Sequence, residues 1–257
     1  MPFTLAHPAA VLPLRRFRYL QTVPLIVGSV TPDLPYFVPA RFGRLMADTH
    51  TLYGSFVYDI PIGLAVILFG FLLRRPFTVL LSVRGRALCL RAMECFRDRP
   101  LSWALAPIAI LIGTWTHIIW DSFTHETGWM VRRVSALSAP ITIGWYTGMV
   151  CHVLQYVSSV AGLAALIIWY RRLPAPVIVP ADAGTMHSYA RWMLLVVSLV
   201  AALMGGFQAL QAAMHSQSNY HIIYLLLTRS IAWFALLYLL AGTLVMLTHK
   251  AEPVAQA

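Results

Sequence analysis

The chain has 257 residues, 59% of them hydrophobic and only 11% charged, and its mean hydropathy of +0.72 excludes an ordinary soluble domain or a disordered tail; such a composition belongs in a bilayer. Nineteen Lys and Arg against nine Asp and Glu give a net charge of +10. The cations fall in pairs and clusters between apolar runs, the pattern of topology signals rather than of a nucleic-acid face, so nucleic acid is excluded as an expected partner. Cys89, Cys95 and Cys151 are odd in number and lack Cys-x-x-Cys spacing, which argues against a disulfide framework and a thiolate zinc site and leaves His and carboxylates as the metal donors.

Crossing ~30 Å of hydrocarbon takes roughly 20 mostly apolar helical residues. The chain opens without a basic stretch, reaching Arg15, Arg16 and Arg18 only after its first apolar residues, so no cleaved signal peptide is expected. Residues 8–17 and 21–31 are each too short to cross. An antiparallel helical pair turning near Arg18 brings His7 and Asp33 to one end; the alternative is one span over residues 19–38, despite Pro24, Pro32, Asp33 and Pro35. Five full spans follow at residues 55–73, 101–120, 145–170, 192–214 and 222–248, each with Trp, Tyr or Arg near at least one end. The expected fold is therefore an all-α polytopic membrane bundle of five spans plus an N-terminal helical hairpin, or of six spans. It forms a single integral-membrane domain, with a metal-site half at 1–144 and C-terminal helices at 145–257. Gly144-x-x-x-Gly148 and Gly205-Gly206 are expected to mark close helix contacts.

Alternating the loops puts Arg74, Arg75, Arg84, Arg86, Arg91, Arg97, Arg99, Arg171, Arg172, Arg191 and Lys250 on one side and Arg41, Arg44, Arg132 and Arg133 on the other. The positive-inside rule makes the first side cytoplasmic in a prokaryotic cytoplasmic membrane. The ends near Ser55 and Trp120 then face outward.

The segment from Thr116 to Glu126 carries the most chemistry. On a helix, His117, Asp121 and His125 share one stripe because positions four apart advance about 400°. A carboxylate at the end of an apolar span is costly unless a cation or donor meets it. Asp33 and His50 fall on the same side of the membrane, and the hairpin adds His7, so His7, Asp33, His50, His117, Asp121 and His125 are the candidate ligands. Mixed imidazole and carboxylate donors suit a divalent metal, zinc first and manganese or iron next, as one open-site ion or two bridged ones. Asp59 and Glu126 are candidate general bases; complementing a helix dipole competes for Asp59. No Gly-x-Ser-x-Gly or Ser-x-x-Lys nucleophile motif is present. Arg229 lies inside the last span, where an unpaired Arg costs at least ~2.5 kcal/mol, and with His152 and Arg132 it makes an expected phosphate- or carboxylate-binding set. Polar glue between helices is the competing account of His152, Gln155, Gln208 and Gln211, and Ser159 and His215 share their spacing.

The pieces Leu5-Ala6-His7-Pro8, Pro32-Asp33, Asp48-Thr49-His50 and His117-x-x-x-Asp121-x-x-Thr124 occur in the order seen in bacterial membrane-bound metal-dependent hydrolases. The whole chain resembles the integral-membrane family of unknown function numbered 4184, most closely in His7-Pro8-Ala9-Ala10-Val11, Gly28-Ser29-Val30-Thr31-Pro32-Asp33 and residues 117–125. The resemblance implies a membrane hydrolase with a metal site, distantly akin to zinc-dependent phospholipases of the C type. Pro35 stands where the related hydrolases carry a second acidic residue, and the basic residue and Gly before their His motif are missing around Asp48-Thr49-His50. The expected function is hydrolysis of a phosphoester or other ester of a membrane lipid or lipid-linked small molecule near the outer leaflet. A transporter and a noncatalytic scaffold with a His/Asp metal site are the alternatives.

Overall fold

The structure, a computed structural model, describes residues 4–17, 19–37, 48–144, 146–174, 183–214 and 219–248. Arg18, Arg41, Arg44, Trp145, His215, Lys250 and the Arg191 side chain, all used in the expectations above, lie outside the described residues.

A short 3-10 turn, Thr4–Ala6, leads into α1 (Pro8–Val11), which Pro8 opens at the first helical position, where its missing amide proton is no loss. A second 3-10 turn, Leu12–Arg16, ends this limb, and α2 (Thr22–Val30) returns. Nine residues at ~1.5 Å each reach only about 14 Å, so the hairpin forms and the single span over residues 19–38 does not. Beyond α2 the chain tightens into a 3-10 turn, Thr31–Phe37, in which Pro32 and Pro35 supply no amide donors.

The long helices are α3 (Leu52–Leu72), α6 (Pro100–Thr124), α8 (Val150–Arg172), α9 (Ala183–Ala213) and α10 (Asn219–Thr248), with the shorter α4 (Arg74–Val79) and α5 (Val83–Arg97) between α3 and α6 and α7 (Ser135–Ser138) after it. Leu52–Leu72, Pro100–Thr124, Val150–Arg172, Trp192–Ala213 and Ile222–Thr248 are each long and apolar enough to cross a membrane. The protein is therefore a multi-pass, all-α membrane bundle, in which helices satisfy their own backbone hydrogen bonds.

One boundary and one motif differ from expectation. The third span starts at Val150, because β1 (Pro140–Ile143) and β2 (Tyr146–Met149) pair as an antiparallel hairpin. Gly144 turns that hairpin with a φ of +58°, a conformation glycine adopts without steric cost. Gly144 and Gly148 thus belong to a β-turn region and not to a helix contact; the β-branched run Ile141-Thr142-Ile143 after Pro140 favours a strand there.

The described residues form two compact units. The first draws on Met1–Pro35, Ala40–Ile67 and Cys95–Pro174. Within it α2 and α6 pack backbone to backbone: a Cβ on Gly28 would strike the Ile110 carbonyl, and one on Gly113 would strike the Leu25 carbonyl and come within 2.8 Å of the Ser29 amide nitrogen. Thr114 Oγ1 donates to the Gly28 carbonyl at 3.2 Å across this contact. Such close approach is how membrane helices gain van der Waals contact when lipid is as apolar as their side chains. The second unit draws on Tyr36–Pro39, Leu68–Glu94 and Ala175–Ala257. There α9 pairs with α10, Gly205 lying directly against Ser230 as its sequence suggests. Val79, Leu80, Ala190, Val197, Tyr238 and Ala241 form the core, and the Tyr238 hydroxyl donates to the Phe77 carbonyl at 2.6 Å.

Gly28→Ala and Gly113→Ala are each expected to destabilise the protein by about 1–3 kcal/mol, the usual range for overpacking. Gly206→Ala, whose new methyl would find its nearest neighbour at 3.9 Å, should melt like the unaltered protein. Thermal unfolding in detergent, followed by loss of the monodisperse peak, distinguishes the three.

Candidate metal centre

Four stretches of the first unit converge at the C-terminal end of α6. The α2–α6 contact sets the first two donors: one turn beyond Gly113, His117 meets α2, and its Nδ1 lies 2.8 Å from the Ser29 carbonyl. A carbonyl only accepts, so Nδ1 carries the proton, and in the neutral ring Nε2 turns a lone pair inward. Asp121, one turn further along α6, places Oδ2 3.3 Å from that Nε2. The Thr31–Phe37 turn delivers Asp33, with Oδ1 3.6 Å from His117 Nε2, while its Oδ2 accepts from Thr4 Oγ1 at 2.7 Å.

The fourth group comes from the turn before α3. Thr51 caps that helix by accepting from the Gly54 amide at 2.9 Å, and Thr49 Oγ1 donates to the Pro32 carbonyl at 2.9 Å, tying this turn to the one bearing Asp33. His50 Nε2 then lies 3.4 Å from Asp33 Oδ1 and 3.8 Å from Asp121 Oδ2. One donor atom from each of Asp33, His50, His117 and Asp121 lies within 4.8 Å of every other. For bonds of about 2.0–2.1 Å, a tetrahedral site has edges of roughly 3.3–3.4 Å; the four imidazole–carboxylate separations, 3.3–3.8 Å, lie at or slightly above that edge, as a small divalent ion requires.

The charge balance points the same way. Asp33 is fully buried and Asp121 nearly so, and neither Asp33 Oδ1 nor His117 Nε2 has a hydrogen-bond partner among the described residues. Burying an uncompensated carboxylate carries a heavy desolvation penalty. A proton on one imidazole leaves the pair of carboxylates with a net negative charge; a divalent cation neutralises both and takes up the Nε2 lone pair. Two imidazoles and two carboxylates suit zinc, manganese or iron. The residues present therefore fit a divalent metal.

The remaining expected residues occupy different places. His7 stacks on His117 with ring centroids 3.7 Å apart, and its Nε2 lies 3.4 Å from Asp121 Oδ1, the oxygen turned away from the other imidazoles. It adjoins the four-atom set without joining it. His125 ends α6, its Nδ1 3.1 Å from the Asp121 carbonyl, so this nitrogen is spent as a donor. Glu126 is exposed and pairs with His152 at 3.0 Å. Arg132 donates to the Thr127 carbonyl, and Arg229 lies on α10 in the second unit. Asp59 is fully buried in a π-helical segment, Ser55–Asp59, at the start of α3. Neither of its oxygens has a hydrogen-bond partner among the described residues. The widened turn is held to α6 by Trp115 Nε1 donating to Ser55 Oγ at 3.1 Å, and such turns recur at functional sites. A helix-dipole role alone does not account for that burial.

Thr4, the Ser29 carbonyl and Thr49 support the centre and were not singled out from sequence. Thr49 and Ser29 fall inside Asp48-Thr49-His50 and Gly28-Ser29-Val30-Thr31-Pro32-Asp33, and Thr4 lies just ahead of Leu5-Ala6-His7-Pro8; the motifs gave these residues no role of their own, and a carbonyl carries no side-chain signal.

Comparison with protein families finds that the family described as Domain of unknown function (DUF4184) matches residues 1–246. Comparison with curated proteins and with solved structures gives no match.

Burial, reinforced by the neighbouring His117, pushes the His7 imidazole down from 6.5 to about 3, with Asp121 and Asp33 pulling the other way. Between those limits the unfolded chain binds the extra proton and the folded chain does not, so His7 makes stability rise with pH across that window. In chelator, lowering the pH from 7 to 5 should therefore depress the melting temperature of the unaltered protein more than that of His7→Gln; equal slopes would show that His7 is not buried in neutral form.

Proposed function

We propose that this chain, which belongs to the DUF4184 family, is a membrane-embedded metal-dependent hydrolase. Its substrate is a phosphoester or other ester of an amphiphilic, lipid-linked molecule at the outer leaflet of a prokaryotic cytoplasmic membrane. The supporting observation is the buried set Asp33, His50, His117 and Asp121 at the end of apolar helices. It brings two carboxylates and two imidazoles together with a spacing and charge that a divalent cation would satisfy.

These four residues hold the metal, and His7 keeps Asp121 oriented from behind by facing Oδ1. A bound zinc, manganese or iron ion would polarise a phosphoryl or acyl oxygen and lower the pKa of water from ~15.7 toward ~7. Asp59 is the carboxylate we assign to accept the proton from the attacking water. It is buried, its oxygens have no hydrogen-bond partner among the described residues, and it lies within electrostatic reach of His50 and His117. Glu126 is the weaker choice because its carboxylate is already paired with His152 at the surface.

A lipid-borne substrate is favoured by residues that lie near the site in sequence. Leu5 precedes His7, Leu52 and Tyr53 follow His50, and Ile119 and Trp120 stand between His117 and Asp121; all are exposed. An exposed apolar and aromatic border at the end of membrane helices suits the interface between hydrocarbon and headgroups. In the segment after α6, Arg133 lies over Trp129 at 4.0 Å and Arg132 is close in sequence, which offers cations to an anionic headgroup. The sparse cations of the loops on this side, under the positive-inside rule, support the outward orientation.

Purified protein is expected to carry a stoichiometric divalent metal by elemental analysis, lost in Asp33→Asn and His117→Ala and removed by chelation. In vesicles it should hydrolyse a phospholipid phosphoester, and Asp59→Asn should lower kcat by roughly 10²–10⁴-fold, the range for a general base, with metal content unchanged. Metal-dependent flux without hydrolysis would replace this proposal with a carrier, and bound metal with neither activity would leave a helix staple.

A further inference from the structure

We propose that His50 is the exchangeable ligand of the centre: Asp33, His117 and Asp121 hold a divalent cation permanently, and a phosphate oxygen enters at the position His50 vacates. This rests on the metal-dependent reading above and adds how such a site opens. Four protein donors close a tetrahedral ion, whereas sites that act on a substrate keep one position for it. A centre built from these four residues therefore needs one of them to yield.

The four are not equivalent. Asp33 and His117 have no exposed side-chain surface, and Asp121 has 9%. Each of the first two is anchored from behind, Asp33 by the Thr4 hydroxyl and His117 by the Ser29 carbonyl. Asp121 sits one helical turn from His117 on the same rigid element, α6. Releasing either carboxylate would strand a buried negative charge. His50, by contrast, stands on a turn ahead of α3 and its side chain is 23% exposed. A neutral imidazole swinging outward reaches solvent and strands no charge. Thr49 Oγ1 lies 3.3 Å from His50 Nδ1 and itself donates to the Pro32 carbonyl, which ties the turn that carries His50 to the turn that carries Asp33.

On the His7 side, the ring is 4% exposed and stacked on His117, so among the described residues His50 is the ligand with the most accessible side chain. The exposed Leu52 and Tyr53 lie two and three residues after His50, which places the accessible ligand near the apolar border and gives a phosphate on a lipid tail a path to the ion.

The test uses the full chain in detergent with Co²⁺ as the metal probe and inorganic phosphate as the oxygen donor, comparing the unaltered protein with His50→Ala, His50→Gln, His117→Ala and Asp33→Asn, each checked for monodispersity. Visible absorption reports the coordination of Co²⁺. Both His50 variants should still bind one Co²⁺ per chain, with affinity lowered by no more than about the 10- to 100-fold seen for loss of an outer-shell partner. His117→Ala and Asp33→Asn should bind none, and phosphate should perturb the spectrum of the His50 variants at lower concentration than that of the unaltered protein. If folded His50→Ala and His50→Gln both lose Co²⁺ as completely as His117→Ala, or if phosphate acts identically with and without His50, the proposal is overturned while the metal site stands. An unaltered protein that takes up no Co²⁺ removes the metal reading and this inference together.

Discussion

The close approach of α2 to α6 is the contact on which the rest of the centre depends. Gly28 and Gly113 let the two backbones touch, and Thr114 reaches the Gly28 carbonyl across the gap. Three of the four donors are then placed by counting along the chain from that point, and His50 comes from the turn before α3. His117 is one turn beyond Gly113 and meets Ser29, the residue after Gly28; Asp121 is one turn further, and Asp33 is four residues beyond Ser29. A helix short enough to stop inside the bilayer and two glycines that allow it to lie against a full span are thus the structural origin of a carboxylate and imidazole cluster in an apolar protein.

That arrangement has an electrostatic consequence. In water, two neighbouring carboxylates and two imidazoles would be unremarkable, because solvent screens them. Here Asp33 and His117 are sealed and Asp121 nearly so, with acceptor atoms that have no hydrogen-bond partner among the described residues. The same burial that makes the cluster expensive without a cation is what a divalent ion would offset, since two negative charges in a low-dielectric setting are balanced by a charge of two. The supporting partners are all neutral, a hydroxyl from Thr4 and carbonyls from Ser29 and Pro32. They fix orientation without altering that balance.

Much of this was legible before any coordinates. The spans at residues 55–73, 101–120, 192–214 and 222–248 are close to the helices observed, because a run of about 20 apolar residues in a membrane has few alternatives to a helix. The hairpin was only half legible: two apolar limbs each too short to cross suggested it, but a single span over residues 19–38 fitted the sequence as well until the short α2 (Thr22–Val30) separated the two. The stripe of His117 and Asp121 followed from helical periodicity alone. The segment around Gly144 was misread because a Gly-x-x-x-Gly spacing looks the same in a strand turn as in a helix contact. Only the β-branched residues beside Pro140 and the positive φ at Gly144 separate the two. His125 shows a similar limit, for the stripe places it beside Asp121 but the helix ends there and its ring turns back to the Asp121 carbonyl.

Composition and periodicity by themselves determined the solvent in which this protein lives, the number of long helices and which His and Asp residues lie near membrane boundaries. These are properties of local runs, and local runs carry their own physics. Tertiary structure alone decided that Asp33, His50, His117 and Asp121 share one small volume, that His7 stands just behind them, and that Asp59 is buried in a widened turn. Convergence of residues separated by tens of positions depends on how closely two backbones can approach, and that is set by side chains missing at Gly28 and Gly113 as much as by those present.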